Sequence, residues 1–298
     1  PPPFNAPPTT DIYTHVLSSA ASDVYKRQVY DASDRVDGCV SLEVSPRLAD
    51  DTAGTVAEAR RLWKEVDRPN LMIKVPATPA GIPAIETLLA EGINVNVTLM
   101  FSLAHYDAVA GAYLRGAQRC ERPDGLTSVA SFFVSRVDTL VDKQLDELAT
   151  PQARALRGTV AVANSKLAYD RFRQVFGGEH FAPLATRGAR PQRVLCGSTS
   201  AKDPAYSEVK YVEELIGPET VNTLPPDTIE AFLERGTARE TLTADVPAAR
   251  AIVEALDGLG IDLDAATAQL QRDGVKAFAR SFDSLLATLE ARRGELAG

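Results

Sequence analysis

The chain has 298 residues, a formal net charge of −8 and 45% hydrophobic residues. This length and apolar content fit one large α/β barrel or two smaller domains, and the acidic balance argues against a nucleic-acid binder. No apolar run approaches the roughly 20 residues of a membrane span, and the three histidines give no metal cluster. The three cysteines (Cys39, Cys120 and Cys196) follow no disulfide or metal-binding spacing. This spacing favours a cytoplasmic protein with reduced thiols.

Residues 1–28 differ in character from the rest of the chain. They begin Pro-rich, and Leu17–Gln28 (LSSAASDVYKRQ) resembles a translated sequencing adaptor of the kind found in assembled metagenomic reads. An ordinary variable leader is the alternative. We expect a non-native or disordered leader over residues 1–28 and one α/β domain over residues 29–298.

From Val29 onward, strand patterns and helix patterns alternate. The predicted strands cover residues 38–44, 71–75, 93–99, 127–134, 193–198 and 220–224. The predicted helices cover residues 51–66, 81–90, a segment from Ser102, 137–148, about 160–176, 205–216, a segment ending near 235, and terminal helices over 247–296. Strands that alternate with helices in this way imply a parallel sheet with right-handed crossovers.

A doubly wound sheet and a (β/α)8 barrel both fit this order, and the polar residues inside the strands separate them. In strand 93–99, Asn94, Asn96 and Thr98 share one face. Other strands place these sets on one face: Ser41 and Glu43; Ser131, Phe133 and Ser135; Cys196, Ser198 and Ser200. Buried strands with one polar face need a common polar interior, which a barrel provides. We therefore predict a TIM (β/α)8-type barrel with extra C-terminal helices.

Only six barrel strands are recognisable, and the first begins at Gly38. Six consecutive strands of an eight-stranded barrel leave two sheet edges. Strand 38–44 and strand 220–224 should therefore each lack a partner on one side. We expect an incomplete, open barrel in which the first two strands of the fold are missing.

Leu71–Thr78 (LMIKVPAT) places a lysine inside an apolar strand. Lysine is almost never fully buried without a partner. Lys74 could face water on an edge strand or form a structural ion pair, but an amine at the end of a buried strand could also form a Schiff base with a carbonyl substrate. Glu43 and Thr98 on nearby strands favour this chemistry, because a carboxylate and a hydroxyl can hold the water that helps to dehydrate a carbinolamine.

Two cations directly follow predicted strands. Arg136 comes after strand 127–134, and Lys202 comes after strand 193–198. Each could simply be solvated, or together they could clamp a phosphate at the barrel mouth, where Gly197–Ser200 would add backbone and hydroxyl donors.

These segments together resemble the transaldolases. The matching stretches are Val40–Pro46 (VSLEVSP), Met72–Thr78 (MIKVPAT), Gly92–Ser102 (GINVNVTLMFS), Ala130–Arg136 (ASFFVSR), Gly197–Lys202 (GSTSAK) and Tyr211–Pro225 (YVEELIGPETVNTLP). The last stretch is typical of the actinobacterial and plastid-like branch, and the resemblance extends from about Val29 to the end of the chain.

The resemblance implies a class I Schiff-base transferase of the pentose phosphate pathway that needs no metal or other cofactor. Lys74 would attack the ketose carbonyl of fructose 6-phosphate or sedoheptulose 7-phosphate. The dihydroxyacetone unit would stay on Lys74 while the aldose leaves, and it would then pass to glyceraldehyde 3-phosphate or erythrose 4-phosphate. The implied partners are sugar phosphates, with neither nucleic acid nor membrane.

The resemblance also assigns roles to individual residues. Glu43 and Thr98 match a proton-relay pair around a catalytic water, beside the nucleophile Lys74. The matching substrate-binding positions are Asn96 and Ser131 for the hydroxyls of the intermediate, Phe133 for a wall of the pocket, and Arg136, Ser198 and Lys202 for the phosphate, with Ser200 as the alternative serine.

Two family residues have no counterpart in this chain. The family places an Asp on its first strand and a substrate-binding Asn in a Thr-Ser-Asn-Pro-like motif at the end of its second. The Asp is expected to take the proton from the substrate hydroxyl during carbon–carbon cleavage. We therefore expect the family's fold and Schiff-base site with little or no transfer. The alternatives are a related class I aldolase that cleaves without an acceptor, or an inactive transaldolase fragment.

Overall fold

The sheet consists of six parallel strands that follow one another in chain order. A computed structural model describes residues 26–297. The strands are β1 (Val40–Glu43), β2 (Leu71–Pro76), β3 (Val95–Met100), β4 (Ser128–Phe133), β5 (Arg193–Gly197) and β6 (Thr220–Asn222). Each strand pairs with the next in the order β1-β2-β3-β4-β5-β6, which is the β/α arrangement of a TIM-type barrel.

Helices connect the strands and cover the outside of the sheet. They are α1 (Arg27–Ala32), α2 (Thr52–Val66), α3 (Gly81–Ala90), α4 (Leu103–Arg119), α5 (Ser135–Leu148), α6 (Pro151–Leu156), α7 (Val160–Phe176), α8 (Ala182–Thr186), α9 (Lys210–Glu213), α10 (Pro226–Arg235), α11 (Val246–Gly258) and α12 (Leu263–Ala297). Within residues 26–297, none of them is both long and apolar enough to cross a membrane.

Local chemistry explains where several helices begin. The Asp51 side chain accepts a hydrogen bond from the Gly54 N–H at the start of α2. Ser102 accepts one from the His105 N–H at the start of α4. Such caps satisfy backbone donors that have no partner inside the helix, and each contributes about 1 kcal/mol.

The register of the strands defines the inner face of the sheet. Successive partners across neighbouring strands are Glu43 with Lys74, Lys74 with Asn96, Asn96 with Val129, Ser131 with Leu195, and Leu195 with Val221. Met72, Val129 and Leu195 pack in one buried cluster although β2 and β4 are not neighbours. The sheet therefore curls around an interior, as predicted for a barrel rather than for a doubly wound sheet.

The two sheet edges lie where the sequence predicts them. In the part of the chain that the structure describes, β1 pairs only with β2 and β6 pairs only with β5. The predicted leader falls largely on residues 1–25, which lie outside the described residues, so the division of the chain at residue 28 stays a prediction.

One predicted strand face is wrong. Cys196 was expected to share the polar inner face with Ser198, but its register partners put it on the outer face, and Leu195 and Gly197 point inward instead. Ser198 still reaches the interior because its backbone is left-handed, with φ of 55°, and this breaks the alternation just after β5.

The predicted helix over residues 205–216 is also wrong, because only the four residues of α9 are helical there. Side chains compete with the helix in this segment. Asp203 accepts a hydrogen bond from the Ala205 N–H, and Ser207 accepts one from the Val209 N–H. These local bonds favour turns over helix.

The long helix α12 lies across the C-terminal ends of β2 and β3. Gln271 Nε2 donates to the carbonyl oxygens of Ala77 and Leu99 at 2.9 and 3.0 Å. Gly274 permits the close approach, because a Cβ there would come within 2.8 Å of a Leu99 methyl carbon. The helix therefore covers the end of the barrel that carries the site.

Candidate active site

Lys74 lies on a central strand and faces the interior. Its strand β2 pairs with β1 on one side and β3 on the other, so the alternative of a water-facing lysine on an edge strand is wrong. Lys74 Nζ lies 3.5 Å from Glu43 Oε1, and the two side chains are 18% and 14% exposed. The pair is thus accessible to a small substrate yet largely withdrawn from water, which strengthens its electrostatic interaction.

A cavity of about 390 Å³ opens in front of this pair. Its lining includes the side chains of Glu43, Lys74, Asn96, Ser131, Phe133 and Ser198. Six of the nine residues chosen from the sequence therefore meet in one space. The other three are Thr98, Arg136 and Lys202, which the structure places differently.

Asn96 forms the centre of a polar floor below Lys74. Its Nδ2 donates to Ser41 Oγ at 2.8 Å, and its Oδ1 accepts from Ser131 Oγ at 2.6 Å. These two bonds fix the orientation of the amide. Ser41 was not chosen as a site residue, although its place on the same face as Glu43 was visible in the alternation of polar residues along β1.

Thr98 lies one pleat beyond Asn96 on the same face of β3. It is fully buried, and among the described residues its hydroxyl has no hydrogen-bond partner. Leaving a buried hydroxyl unsatisfied costs about 1–3 kcal/mol. A buried water bonded to the hydroxyl would relieve this cost.

Phe133 forms an apolar wall at the end of β4. Its ring packs edge-on against Phe101 with 5.2 Å between centroids. Gly197, its register partner on β5, leaves room for the ring, since a Cβ there would lie 3.3 Å from Phe133 Cδ1. The wall therefore depends on a glycine of the neighbouring strand.

Arg136 is half-buried in the first turn of α5. It lines a second cavity of about 190 Å³, which Glu43 and Phe278 also line. Among the described residues, Arg136 forms no salt bridge, and its guanidinium lies 5.4 Å from the centre of the Phe133 ring. Burial lowers the pKa of Arg136. A desolvated cation without a paired carboxylate is a suitable receptor for an anion such as a phosphate.

The residues that follow β5 are less closely gathered. Ser198 lines the main cavity, and its Oγ lies 3.0 Å from Ser135 Oγ, next to Arg136. Lys202 is exposed and lines neither cavity described above; its Nζ donates to Ser200 Oγ at 2.6 Å. The geometry therefore supports Ser198 rather than Ser200 as the serine at the cavity.

Phe278 is a site residue that sequence reasoning missed. It lies on α12, and its ring centre is 5.2 Å from Lys74 Nζ. The Lys74 side chain therefore approaches both this aromatic ring and the Glu43 carboxylate. No local pattern reveals it, because Phe278 approaches Lys74 only through the packing of α12 across the barrel.

The assembled groups are suited to bind a substrate that has both a carbonyl group and an anionic group, and to react with its carbonyl. An amine lies beside a carboxylate, hydroxyl and amide groups form the floor, and a half-buried guanidinium lies nearby. Among the described residues, no group of His, Cys, Asp and Glu side chains is arranged to hold a metal ion.

Comparisons with known proteins agree with this chemistry. Residues 10–289 match the family described as transaldolase/fructose-6-phosphate aldolase. A protein named transaldolase from Frankia alni is 47% identical over 294 residues, covering 95% of this chain and 79% of the relative. The transaldolase of Thermobifida fusca is 51% identical over 271 residues, covering 89% and 73%. Transaldolase 1 of Streptomyces coelicolor is 50% identical over 275 residues, covering 91% and 72%.

Proposed function

Because this chain belongs to the transaldolase/fructose-6-phosphate aldolase family, we propose that it transfers a dihydroxyacetone unit between sugar phosphates through a Schiff base on Lys74. The family makes it an enzyme of the pentose phosphate pathway with sugar phosphates as substrates. Its three cysteines form no disulfide in the described residues, and we propose that it acts in the cytoplasm.

The first step is addition of the Lys74 amine to the C2 carbonyl of the ketose. The amine must be unprotonated when it attacks, and its proton can pass to the Glu43 carboxylate 3.5 Å away. The carbinolamine then loses its hydroxyl as water. Glu43 returns the proton in that step, either directly or through a water held between its carboxylate and the Thr98 hydroxyl.

The later steps break and remake one carbon–carbon bond. The protonated Schiff base draws the electron pair of the C3–C4 bond, while the C4 hydroxyl loses its proton and becomes the aldehyde of the departing aldose. The enamine left on Lys74 then attacks the aldehyde of the acceptor, and water releases the new ketose. Asn96 and Ser131 would hold the hydroxyls of the bound unit, and Phe133 would shield it.

The single observation that carries the proposal is the placement of Lys74. It is a partly buried lysine on a central strand, within 3.5 Å of a carboxylate and open to a cavity of about 390 Å³. A purely structural ion pair would gain nothing from such a cavity. Desolvated lysines of this kind are typical Schiff-base nucleophiles.

The same cavity predicts which step is weakest. Among the described residues, Glu43 is the only carboxylate that lines either cavity of the site. It can serve addition and dehydration, but cleavage also requires a base at the C4 hydroxyl. We therefore expect this chain to form the covalent adduct more readily than it completes transfer.

Borohydride trapping tests the proposal without requiring turnover. The chain is incubated with fructose 6-phosphate, reduced with borohydride and digested, and the labelled peptide is identified by mass spectrometry. We expect a reduced adduct on Lys74, and we expect none in Lys74→Met or in the absence of sugar. Labelling at another lysine of a folded sample would contradict the assignment.

A second candidate function is cleavage of a ketose phosphate without transfer. The family description includes fructose-6-phosphate aldolase beside transaldolase, whereas the relatives compared above are all named transaldolase. Release of dihydroxyacetone in the absence of an acceptor aldose would favour the aldolase. Release of ketose only when an acceptor is supplied would favour the transferase.

A further inference from the structure

Helix α5 carries an unusual row of buried polar residues. Ser135, Asp138 and Asp142 lie at positions i, i+3 and i+7, so they share one face of the helix. Their exposed fractions are only 1%, 0% and 5%. Carboxylates are almost never buried so deeply unless they are paired, so this face must have specific partners.

The two carboxylates bind in the same way. Asp138 Oδ2 accepts a hydrogen bond from the Tyr211 hydroxyl at 2.8 Å, and its Oδ1 accepts one from the Ala161 N–H at 2.7 Å. Asp142 Oδ2 accepts from the Tyr206 hydroxyl at 2.6 Å, and its Oδ1 accepts from the Gly158 N–H at 2.9 Å. Asp138 thus joins the first turn of α7, and Asp142 the turn before it, to the segment that follows β5.

The segment held in this way is the 198–209 loop, which joins β5 to α9. At its start, the Ser135 N–H donates to the Ser198 carbonyl oxygen at 3.0 Å. In its middle, Arg157 forms a salt bridge with Asp203 at 3.0 Å. Tyr206 fixes the remainder of the loop, and Tyr211 fixes the start of α9 that follows it. The stretch between Ser198 and Asp203, which includes Lys202, is therefore anchored on both sides.

The loop is also shaped to fit these anchors. Gly158 has a φ of 68°, and a Cβ there would come within 2.7 Å of the Tyr206 ring. The Tyr206 ring therefore packs directly on the backbone of Gly158, and the Gly158 N–H and the Tyr206 hydroxyl both donate to the Asp142 carboxylate. Burial raises the pKa values of both tyrosines, so each hydroxyl remains a donor across the physiological range.

We propose that Tyr206 and Tyr211 are positioning residues for the phosphate group of the substrate. Their bonds to Asp142 and Asp138 hold the 198–209 loop against α5, the helix whose first turn carries Arg136. Ser198 is thereby kept beside Ser135 and the first turn of α5, and Lys202 lies between the two anchored ends of the same loop. This inference rests on the proposed phosphate-binding role of these three residues.

The experiment compares trapping of two sugars that differ only in phosphate. Borohydride trapping on Lys74 is measured against the concentration of fructose 6-phosphate and, separately, of fructose. Tyr206→Phe and Tyr211→Phe each remove one hydroxyl and keep the ring. We expect the half-saturating concentration of fructose 6-phosphate to rise about 2- to 12-fold. This factor corresponds to the net free energy of one hydrogen bond. The value for fructose and both maximal trapping rates should stay unchanged.

Tyr113→Phe is the matched control. The Tyr113 side chain is also buried, and its hydroxyl donates to the Arg190 carbonyl oxygen, away from the loop. It should leave the preference for the phosphorylated sugar at its wild-type value. If Tyr206→Phe and Tyr211→Phe alter the two sugars equally or alter neither, the positioning role is wrong, even if the variants melt at lower temperature.

Variants of the cations separate this inference from the function on which it rests. If Arg136→Ala and Lys202→Ala reduce the preference for fructose 6-phosphate while both tyrosine variants leave it intact, only the positioning role is overturned. If the cation variants also leave the preference intact, the phosphate site itself is misassigned. If no adduct forms on Lys74, the proposed function fails.

Discussion

In the β1–β3 half of the sheet, the candidate reacting residues stand on the strands themselves. Glu43, Lys74 and Asn96 are register partners on three successive strands. Their relative positions follow from backbone hydrogen bonds and from the alternation of side chains along a strand. The geometry of the reacting groups is therefore as rigid as the barrel.

In the β4–β6 half, the candidate phosphate residues stand beyond the strands. Arg136 belongs to the first turn of α5, whereas Ser198 and Lys202 belong to the 198–209 loop. We attribute the position of this loop largely to side-chain contacts, above all those that the two buried carboxylates of α5 make with Tyr206 and Tyr211. The sheet positions the candidate reacting groups, whereas we propose that a side-chain network positions the groups that recognise the phosphate. Substitutions in the first half should therefore affect adduct formation, and substitutions in the second half should affect the preference for phosphorylated sugars.

The largest effect is expected in the first half, at Glu43. Glu43→Gln keeps the size of the side chain but cannot take the proton of the Lys74 amine. The rate of borohydride-trapped adduct formation should fall about 10²- to 10⁴-fold. Glu86→Gln removes a carboxylate that pairs with Arg115 on the surface and serves as the control. An unchanged trapping rate in Glu43→Gln would mean that the pair is only structural.

The next effect is expected in the second half, at Arg136. Arg136→Ala should weaken binding of fructose 6-phosphate by about 1.5–3 kcal/mol, the range for a charge-assisted hydrogen bond. Binding of fructose should change little. Arg136→Met keeps an unbranched chain over the Phe133 ring and isolates the charge from the packing. Titration calorimetry with both sugars measures the difference, and equal weakening of the two would exclude a phosphate contact.

The first half of the sheet was largely predictable from the sequence. The alternation in β1 and β3 predicted the polar faces that carry Glu43 and Asn96, and Lys74 was expected on the strand between them; the register confirms that the three are partners. Alternation with a period of two residues is a local property of a strand, so it can be recognised in the sequence without knowledge of the tertiary structure. Thr98 was found in the same way, although only the structure reveals that its hydroxyl lacks a partner.

The second half was not predictable to the same depth. Ser198 reaches the cavity through a left-handed backbone rather than through strand alternation. Tyr206 and Asp142 are 64 residues apart in the chain, and Tyr211 and Asp138 are 73 apart. The sequence records no sign that these side chains meet, and the same segment was wrongly expected to be helical. Contacts of this kind depend on how α5 and the loop pack together.

The smallest effect we predict concerns the side-chain network and its dependence on pH. Burial raises the pKa of Asp138 to about 6, and the nearby Asp142 carboxylate acts in the same direction. The Ala161 N–H, the Tyr211 hydroxyl and the Lys210 ammonium oppose this rise but do not cancel it. The folded protein therefore binds a proton on Asp138 at a pH where the unfolded chain, with a pKa near 3.8, does not.

The sign of the stability change follows from this difference. Between about pH 6 and pH 4, the folded state holds more protons at this site, so the Asp138 contribution to the free energy of unfolding should rise as the pH falls. The slope cannot exceed about 1.4 kcal/mol per pH unit. Asp138→Asn can still accept from the Ala161 N–H and donate to the Tyr211 oxygen, but it cannot titrate. Urea unfolding of both proteins at pH 7 and pH 5 measures the difference between their free energies of unfolding. The contributions of the other carboxylates are common to both proteins and cancel in this difference. We expect the stability of wild type relative to Asp138→Asn to be greater at pH 5 than at pH 7. A constant difference would show that Asp138 is already ionised in the folded protein throughout this range.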